Sequence, residues 1–327
     1  MRVGIGDKVL QKQIEFQQAP SARPSHPIVI IMVYHGVTLL ETRTFFESAI
    51  ITEVRKMSQK LSDTILDFTG SDARTVLQGQ TTRNFVAAGT GSVLEGAFCD
   101  LKGRVIADFC AAIVRDDHIL LRTDTEVANH LQSHLQKYLM FSKTRMTVSK
   151  LSVWACREAT DSDSNSVSES KVTVIRNGGF SEVWCHEDAR PREVIDANIY
   201  HANRLTHGEA RLLSTTIGKY LPQDLNFDIN GLIDFDKGCY TGQEIIARLH
   251  YRGQPKRRLR LLTLTAQTDV AAGDKVLNVE GKSMGTVVEC LTHGDECLCL
   301  CETVLDIDSH QASIQDHAAT PSALQRF

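Results

Sequence analysis

The spacing of apolar residues changes character twice along this chain, and the order of those changes restricts what it can fold into. Residues 65–68 read as a strand, residues 73–78 as a short helix after the turn at Gly70, and residues 93–99 and 104–114 as a hairpin around Asp100-Leu101-Lys102-Gly103. Residues 118–122 form a further strand. Over residues 125–139 the period becomes helical, with Val127, Leu131, Leu135 and Leu139 each four apart. Strand spacing returns at 146–151, 153–156, 172–175 and 180–185, the last two joined across Asn177-Gly178-Gly179. A helix is expected over residues 195–206. After Pro255 the spacing is that of strands alone: 258–265, 275–279, 282–290 and 297–301, separated by turns at Gly273-Asp274 and His293-Gly294-Asp295, as in a small antiparallel barrel. The fold class is therefore α+β, with two mixed α/β modules and a C-terminal antiparallel β-barrel.

The expected organisation is an N-terminal extension over 1–56, a first module over 57–151, a second over 152–254, and the barrel over 255–327. The extension carries Pro20, Pro24 and Pro27 and a Gln-rich patch, and is expected to be poorly ordered or an upstream start-site artefact. A net charge of −4 argues against a general coat for nucleic acid. The nine cysteines are odd in number and form no C-x-x-C pair, which points to free thiols in a reducing compartment. The longest strongly apolar stretch, residues 28–34, falls far short of the roughly 20 residues a membrane span needs. The N-terminus has neither the order of a signal peptide nor the composition of a transit peptide, so the expected address is the cytoplasm, with no membrane partner.

The segment Lys237-Gly238-Cys239-Tyr240-Thr241-Gly242-Gln243-Glu244 is the sharpest chemical feature. Thr241 and Glu244 have the spacing of a capping box, which places Cys239 two residues ahead of the N-cap of a helix running to about residue 249. The positive end of that helix, with Lys237 nearby, would favour the thiolate. A small buried structural cysteine is the competing reading. Arg248, Arg252, Lys256, Arg257, Arg258 and Arg260 form a basic run that suits phosphates or the glutamates of a folate tail, or else a solvated linker.

No metal site is expected. Cys297, Cys299 and Cys301 alternate along one strand, roughly 6.6 Å apart per pair, wider than thiolates sharing one zinc, and read as barrel lining. His130 and His134 lack the intervening Glu of a zinc protease and flank the apolar stripe of their helix. Asp161, Asp163 and Asn165 start like a calcium loop, but Ser166 stands where glycine is needed and Val172 where the bidentate Glu should be.

Four segments together resemble the YgfZ family, relatives of the aminomethyltransferase (T-protein) of glycine cleavage. They are residues 77–82 (Leu-Gln-Gly-Gln-Thr-Thr), 99–105 (Cys-Asp-Leu-Lys-Gly-Arg-Val), 220–226 (Tyr-Leu-Pro-Gln-Asp-Leu-Asn), and the 237–244 signature. The resemblance runs from about residue 60 to the C-terminus. It implies T-protein-type modules arranged around a central tetrahydrofolate site, with Cys239 and Lys237 carrying the chemistry. It also implies a role in assembling or maintaining Fe–S proteins, including enzymes that thiomethylate tRNA, with Fe–S assembly proteins or client enzymes as partners and nucleic acid engaged only indirectly. Tyr200 follows Ala197-Asn198-Ile199, where the family often has Trp, and its ring is expected to stack on a pterin, with Arg204, Asn226 and Glu244 as polar partners.

Two departures stand out. Aminomethyltransferases of this type have a Gly-Gly-x-x-Asp-Asp pattern, and here Ile106 and Ala107 occupy the carboxylate positions, which speaks against the parent chemistry. Some relatives carry Trp just before the first strand, near Asp63 here. A folate-dependent one-carbon transferase and a direct tRNA-binding protein are the alternatives to the accessory role.

Overall fold

A computed structural model describes residues 31–34, 37–40, 60–157, 164–265, 268–307 and 311–325. The chain forms two compact units, Met1–Ser58 and Gln59–Phe327. In the first, β1 (Ile31–Tyr34) and β2 (Val37–Leu40) pair as an antiparallel hairpin. The other residues of the extension, and Asp161 and Asp163 of the rejected calcium loop, lie outside the described residues.

The second unit begins with a five-stranded antiparallel sheet in the order β4-β5-β6-β3-β7. Its strands are β3 (Asp63–Thr69), β4 (Val93–Cys99), β5 (Val105–Arg115), β6 (His118–Asp124) and β7 (Arg145–Val148). Strand β5 is buried along its whole length except Arg115, and its alternation shows why. Phe109, Ala111 and Ile113 enter one apolar cluster, while Cys110, Ala112 and Val114 enter another. A strand covered on both faces reads as a nearly continuous apolar run, as residues 104–114 do.

Helices α1 (Ala73–Gln80) and α2 (Thr125–Leu139) contribute to the first of those clusters. The Asp124 carboxylate caps α2, accepting from the N–H groups of Glu126 and Val127 at 2.9 and 3.2 Å. Such a cap is worth about 1 kcal/mol. Burying Val127, Leu131 and Leu135 contributes roughly 1.5–3 kcal/mol each, so packing decides where this helix lies. His130 faces solvent, and His134 lies beside Tyr138 with the rings tilted and their centroids 5.6 Å apart.

The other face of the first sheet is covered by a four-stranded sheet of order β8-β11-β10-β9. Its strands are β8 (Ser152–Arg157), β9 (Ser166–Val167), β10 (Lys171–Arg176) and β11 (Phe180–Cys185). Val153, Val172, Val174 and Trp184 meet Ile65, Cys110 and Leu120 in that interface. Helix α3 (Ala197–Thr206) follows, then a long irregular stretch, then α4 (Gln243–Arg252).

The tail closes into the expected barrel, with strand order β12-β15-β14-β13-β16-β17. The strands are β12 (Arg257–Thr265), β13 (Lys275–Asn278), β14 (Ser283–His293), β15 (Glu296–Val304), β16 (Ala312–Ile314) and β17 (His317–Ser322). Cys297, Cys299 and Cys301 line its interior, as their alternation with leucines suggests. The intervening Leu298 and Leu300, with Leu259, Leu261 and Val288, belong instead to the cluster that covers the first sheet.

Candidate functional site

The segment carrying Cys239 is held by an extensive set of main-chain contacts. The Lys237 ammonium is buried and donates to the carbonyls of Gln78, Thr81 and Arg83 at 2.7, 2.6 and 2.7 Å. It also lies 4.8 Å from the centre of the Tyr240 ring. Burial draws its pKa down to about 8, with Arg83 adding to the effect and Asp234 opposing it. Thr82 Oγ1 donates to the Leu232 carbonyl at 2.7 Å, and Asp234 Oδ2 accepts from the Asn84 N–H at 2.6 Å. Residues 78–84 and 231–241 are thereby stitched together. Cys239 sits on this framework and is the one exposed cysteine of the nine, all of which are free.

The capping box does not form. Helix α4 starts at Gln243, its N-cap is Gly242, and no side chain caps it. The Thr241 hydroxyl donates to Gln80 Oε1 at 3.2 Å instead, and its N–H to the Gly79 carbonyl at 3.1 Å. Gly242 has φ +85°, and a Cβ there would lie 2.5 Å from the Asp100 carbonyl oxygen. Glycine is therefore required where this turn meets the β4–β5 turn. Cys239 stands three residues ahead of the true N-cap, and the three ammonium protons of Lys237 go to carbonyl oxygens. Lys237 thus fastens the segment that carries Cys239 to residues 78–83.

A cavity of about 390 Å³ opens elsewhere in the same unit. Arg122, Arg176, Arg204 and Arg211 line it, with Glu95, Asp108 and Glu209 among them and Phe109, Phe227, Ile229 and Leu232 as apolar wall. Behind the wall the Glu182 carboxylate, wholly buried, accepts from Arg211 at 2.7 Å, from Arg122 and the Trp184 indole at 3.1 Å, and from the Tyr200 hydroxyl. Arg211 also grips Asp63 with bonds of 3.0 and 3.1 Å. Burial pushes Glu182 upward, but Arg122, Arg176 and Arg211 outweigh it and hold the group well below the usual carboxylate range. The Nε–H groups of Arg122, Arg176 and Arg204 are buried without an acceptor among the described residues.

Asp108 behaves oppositely. Burial raises its pKa, more than the Leu212 N–H bond of 2.7 Å and the nearby arginines lower it. Sequence reasoning found no carboxylate at Ile106 and Ala107. The structure supplies one a residue further on, in the cavity wall. Arg122, Arg176, Arg211 and Glu182 are not singled out by the sequence reading, although a charge inside an apolar strand, such as Glu182 in Phe180–Cys185, requires a buried partner of opposite sign.

Of the four expected ligand contacts, the structure brings only Arg204 to the cavity. Its Nη1 donates to the Glu209 carbonyl at 2.6 Å, and Nη2 pairs with Glu289 of β14. Tyr200 is wholly buried with its hydroxyl on Glu182, so no ring face is open for stacking. Asn226 is buried, at φ +63°, and its amide exchanges hydrogen bonds of 3.0 and 3.3 Å with the Leu259 main chain. Glu244 is exposed in the first turn of α4. Lys237 and Cys239 are not in the cavity lining, which ends at Leu232 in that part of the chain.

The basic run is divided. Arg258 makes a two-pronged pair with Asp228, and Arg257 pairs with Glu302 at 3.1 Å. Arg248 and Arg252 are exposed on α4. Among the described residues no three His, Cys, Asp or Glu side chains are placed to hold a metal ion, and no helix is long and apolar enough to cross a membrane.

The architecture places the chain in the glycine-cleavage T-protein fold class. It superposes on the glycine cleavage system aminomethyltransferase T from Bartonella henselae with a TM-score of 0.62, covering 90% of this chain and 93% of that one at 12% sequence identity. In sequence it is related to proteins named tRNA-modifying protein YgfZ. The Aliivibrio fischeri (strain MJ11) protein is 28% identical over 295 residues, which cover 80% of this chain and 90% of that relative. The Colwellia psychrerythraea protein of the same name is 26% identical over 271 residues, covering 74% and 83%. No family model matches the chain.

Proposed function

We propose that this protein has a YgfZ-type role: a folate-binding accessory protein, cytoplasmic, that supports Fe–S enzymes, tRNA-thiomethylating enzymes among them. The observation that carries the folate reading is the cavity wall, which joins a buried carboxylate, Asp108, to four arginines and an apolar lining. A volume near 390 Å³ lies within the range of small-ligand pockets, about 300–1,000 Å³. The residues fit tetrahydrofolate in chemistry. Asp108 suits the donor edge of a pterin, Phe109 and Phe227 its faces, and the free Nε–H groups of Arg176 and Arg204 the glutamate carboxylates. Bound tetrahydrofolate would supply a carrier for one-carbon units. Tyr200 supports the site from behind by holding Glu182 and with it the arginines.

Cys239 is the working thiol in this reading, supported by its exposure and by the framework that Lys237 fastens beneath it. Its partners are Fe–S assembly proteins or Fe–S client enzymes, reached directly at the surface. Tetrahydrofolate binding followed by calorimetry tests the cavity: Asp108→Asn should weaken it tenfold or more, and Cys239→Ser should leave it unchanged. In cells lacking the protein, Cys239→Ser should fail to restore tRNA thiomethylation. The absence of any binding heat with wild-type protein refutes the folate reading, and full rescue by Cys239→Ser refutes the thiol's role.

A folate-dependent one-carbon transfer is the second reading, and Asp108 favours it, because it places a carboxyl in the cavity wall whose pKa burial raises above the ordinary value. Transfer of a labelled aminomethyl carbon to tetrahydrofolate, abolished in Asp108→Asn, would distinguish it. Direct tRNA binding is less well supported, since Arg257 and Arg258 are held by Glu302 and Asp228. A steep fall of tRNA affinity with salt would restore that reading.

A further inference from the structure

The barrel holds a second group of thiols remote in sequence from Cys239. Cys290 on β14 stands directly opposite Cys299 on β15 in antiparallel register. The Cys299 sulfur lies 3.7 Å from that of Cys297, two residues away on the same strand. Cys299 and Cys297 are buried in the barrel interior, whereas Cys290 is half-exposed and its thiol meets the Val270 carbonyl at 3.1 Å.

We propose that Cys290 and Cys299 form a reversible disulfide, making the barrel an oxidation site that responds to peroxides. Geometry selects this pair. Residues directly opposed on antiparallel strands have Cα atoms about 4.5–5.5 Å apart, within the roughly 4.4–6.8 Å that a disulfide accepts. Cys297 and Cys299 share one strand, where alternate residues are about 6.6 Å apart, at the limit of that range. Exposure selects the order of events: Cys290 reacts first and Cys299 resolves. The hydrogen bond with Cys299 draws the Cys290 thiol down, against the effects of burial, Glu289 and Asp274, while the same bond and burial raise Cys299. A more acidic attacking thiol beside a less acidic resolving thiol is the division of labour such a pair needs.

The chemistry balances. The Cys290 thiolate attacks one peroxide oxygen, an S–O bond forms, the O–O bond breaks, and hydroxide leaves to become water. Cys290 is then a sulfenic acid. The Cys299 sulfur attacks the sulfenic sulfur, an S–S bond forms and the S–O bond breaks. The departing hydroxide takes the Cys299 proton as a second water. Two thiols are oxidised, hydrogen peroxide is reduced to two waters, and a dithiol reductant reverses the change. A cross-link that forms transiently is consistent with a reducing compartment.

The test uses the full chain and hydrogen peroxide, followed by denaturation and iodoacetamide. Oxidised protein should carry two fewer alkylated cysteines than reduced protein, and dithiothreitol should restore both. Cleavage after Glu289, Glu296 and Glu302 separates Cys290 from Cys299, so peptides 290–296 and 297–302 should travel as one linked species until reduced. The link should survive the Cys297→Ala/Cys301→Ala double variant and be lost in Cys299→Ala. Should Cys299→Ala not fold, fragmentation of the linked wild-type peptides on either side of Leu298 and of Leu300 locates the bond directly. A link to Cys297 or Cys301, or a sulfinic acid at Cys290 with no link, overturns the proposal.

Discussion

Replacing Lys237 by methionine separates two accounts of the most distinctive segment in the chain. Methionine keeps most of the apolar stem but removes the ammonium that joins the carbonyls of Gln78, Thr81 and Arg83. A hydrogen bond to a charged group contributes about 1.5–3 kcal/mol net. Three bonds share one charge here and do not add fully, so the loss should be about 3–5 kcal/mol, at the lower end of three such bonds. For a unit of this size, each kcal/mol shifts the melting temperature by about 2 °C, so Lys237→Met should melt roughly 6–10 °C lower. Calorimetry would measure that shift, and the rate of Cys239 alkylation by iodoacetamide at neutral pH would be followed in parallel. An unchanged melting temperature combined with slowed alkylation would refute the structural account. It would show that Lys237 serves the thiol through its charge alone.

Three further outcomes follow from the geometry. Tyr200→Phe should destabilise the protein by about 1–3 kcal/mol in urea unfolding by withdrawing a donor from buried Glu182, and should leave tetrahydrofolate affinity within about twofold; a tenfold loss of affinity at unchanged stability would return the ring to the ligand site. Burial lifts the Asp224 carboxyl to about 6, against the Leu221 N–H bond. The folded state therefore keeps a proton that the unfolded chain releases nearer 3.8, and stability falls as pH rises between those values. Asp224→Asn should accordingly gain on wild type in urea midpoint from pH 4 to pH 7, and a difference independent of pH would be contrary to this reading. Asp228→Asn should weaken the two-pronged hold on Arg258 and lower the melting temperature by a few degrees, whereas no change would mark the pair as energetically idle.

Much of this fold is legible because period-two and helical spacing are local signals. The hairpin around Asp100 and Gly103, helix α2 and the alternation of cysteines with leucines in β15 all declare themselves within one short stretch of chain. The last two barrel strands do not. Ala312–Ile314 is only three residues long, and His317–Ser322 carries Thr, Pro and Ser in place of an apolar alternation, so closure of the barrel lies in pairing rather than composition. The cap of α4 fails for a related reason: Thr241 has the right spacing from Glu244, but Gln80, far away in sequence, takes its hydroxyl. The cavity is the least legible part. Arg211 meets Asp63 across 148 residues and Glu182 across 29, and no pattern in a single sequence joins them. Tyr200 shows the opposite error. A flat ring in the right context suggested stacking, while the fold uses its hydroxyl to complete a buried ionic group.

The barrel's outward-facing leucines have a consequence for how the chain is made. Leu259, Leu261, Leu298 and Leu300 complete the apolar cluster begun by Leu66, Phe68 and Phe109 of the first sheet. Strand β12, which carries two of them, is paired on one side by β15 and on the other by β17. During synthesis the last strand of the first sheet, ending at Val148, emerges from the ribosome about a hundred residues before β12 begins at Arg257. The part of that sheet's face which its own two helices leave uncovered therefore stays wet and adhesive until the barrel has been delivered, and this interval is when the nascent chain has most need of a chaperone.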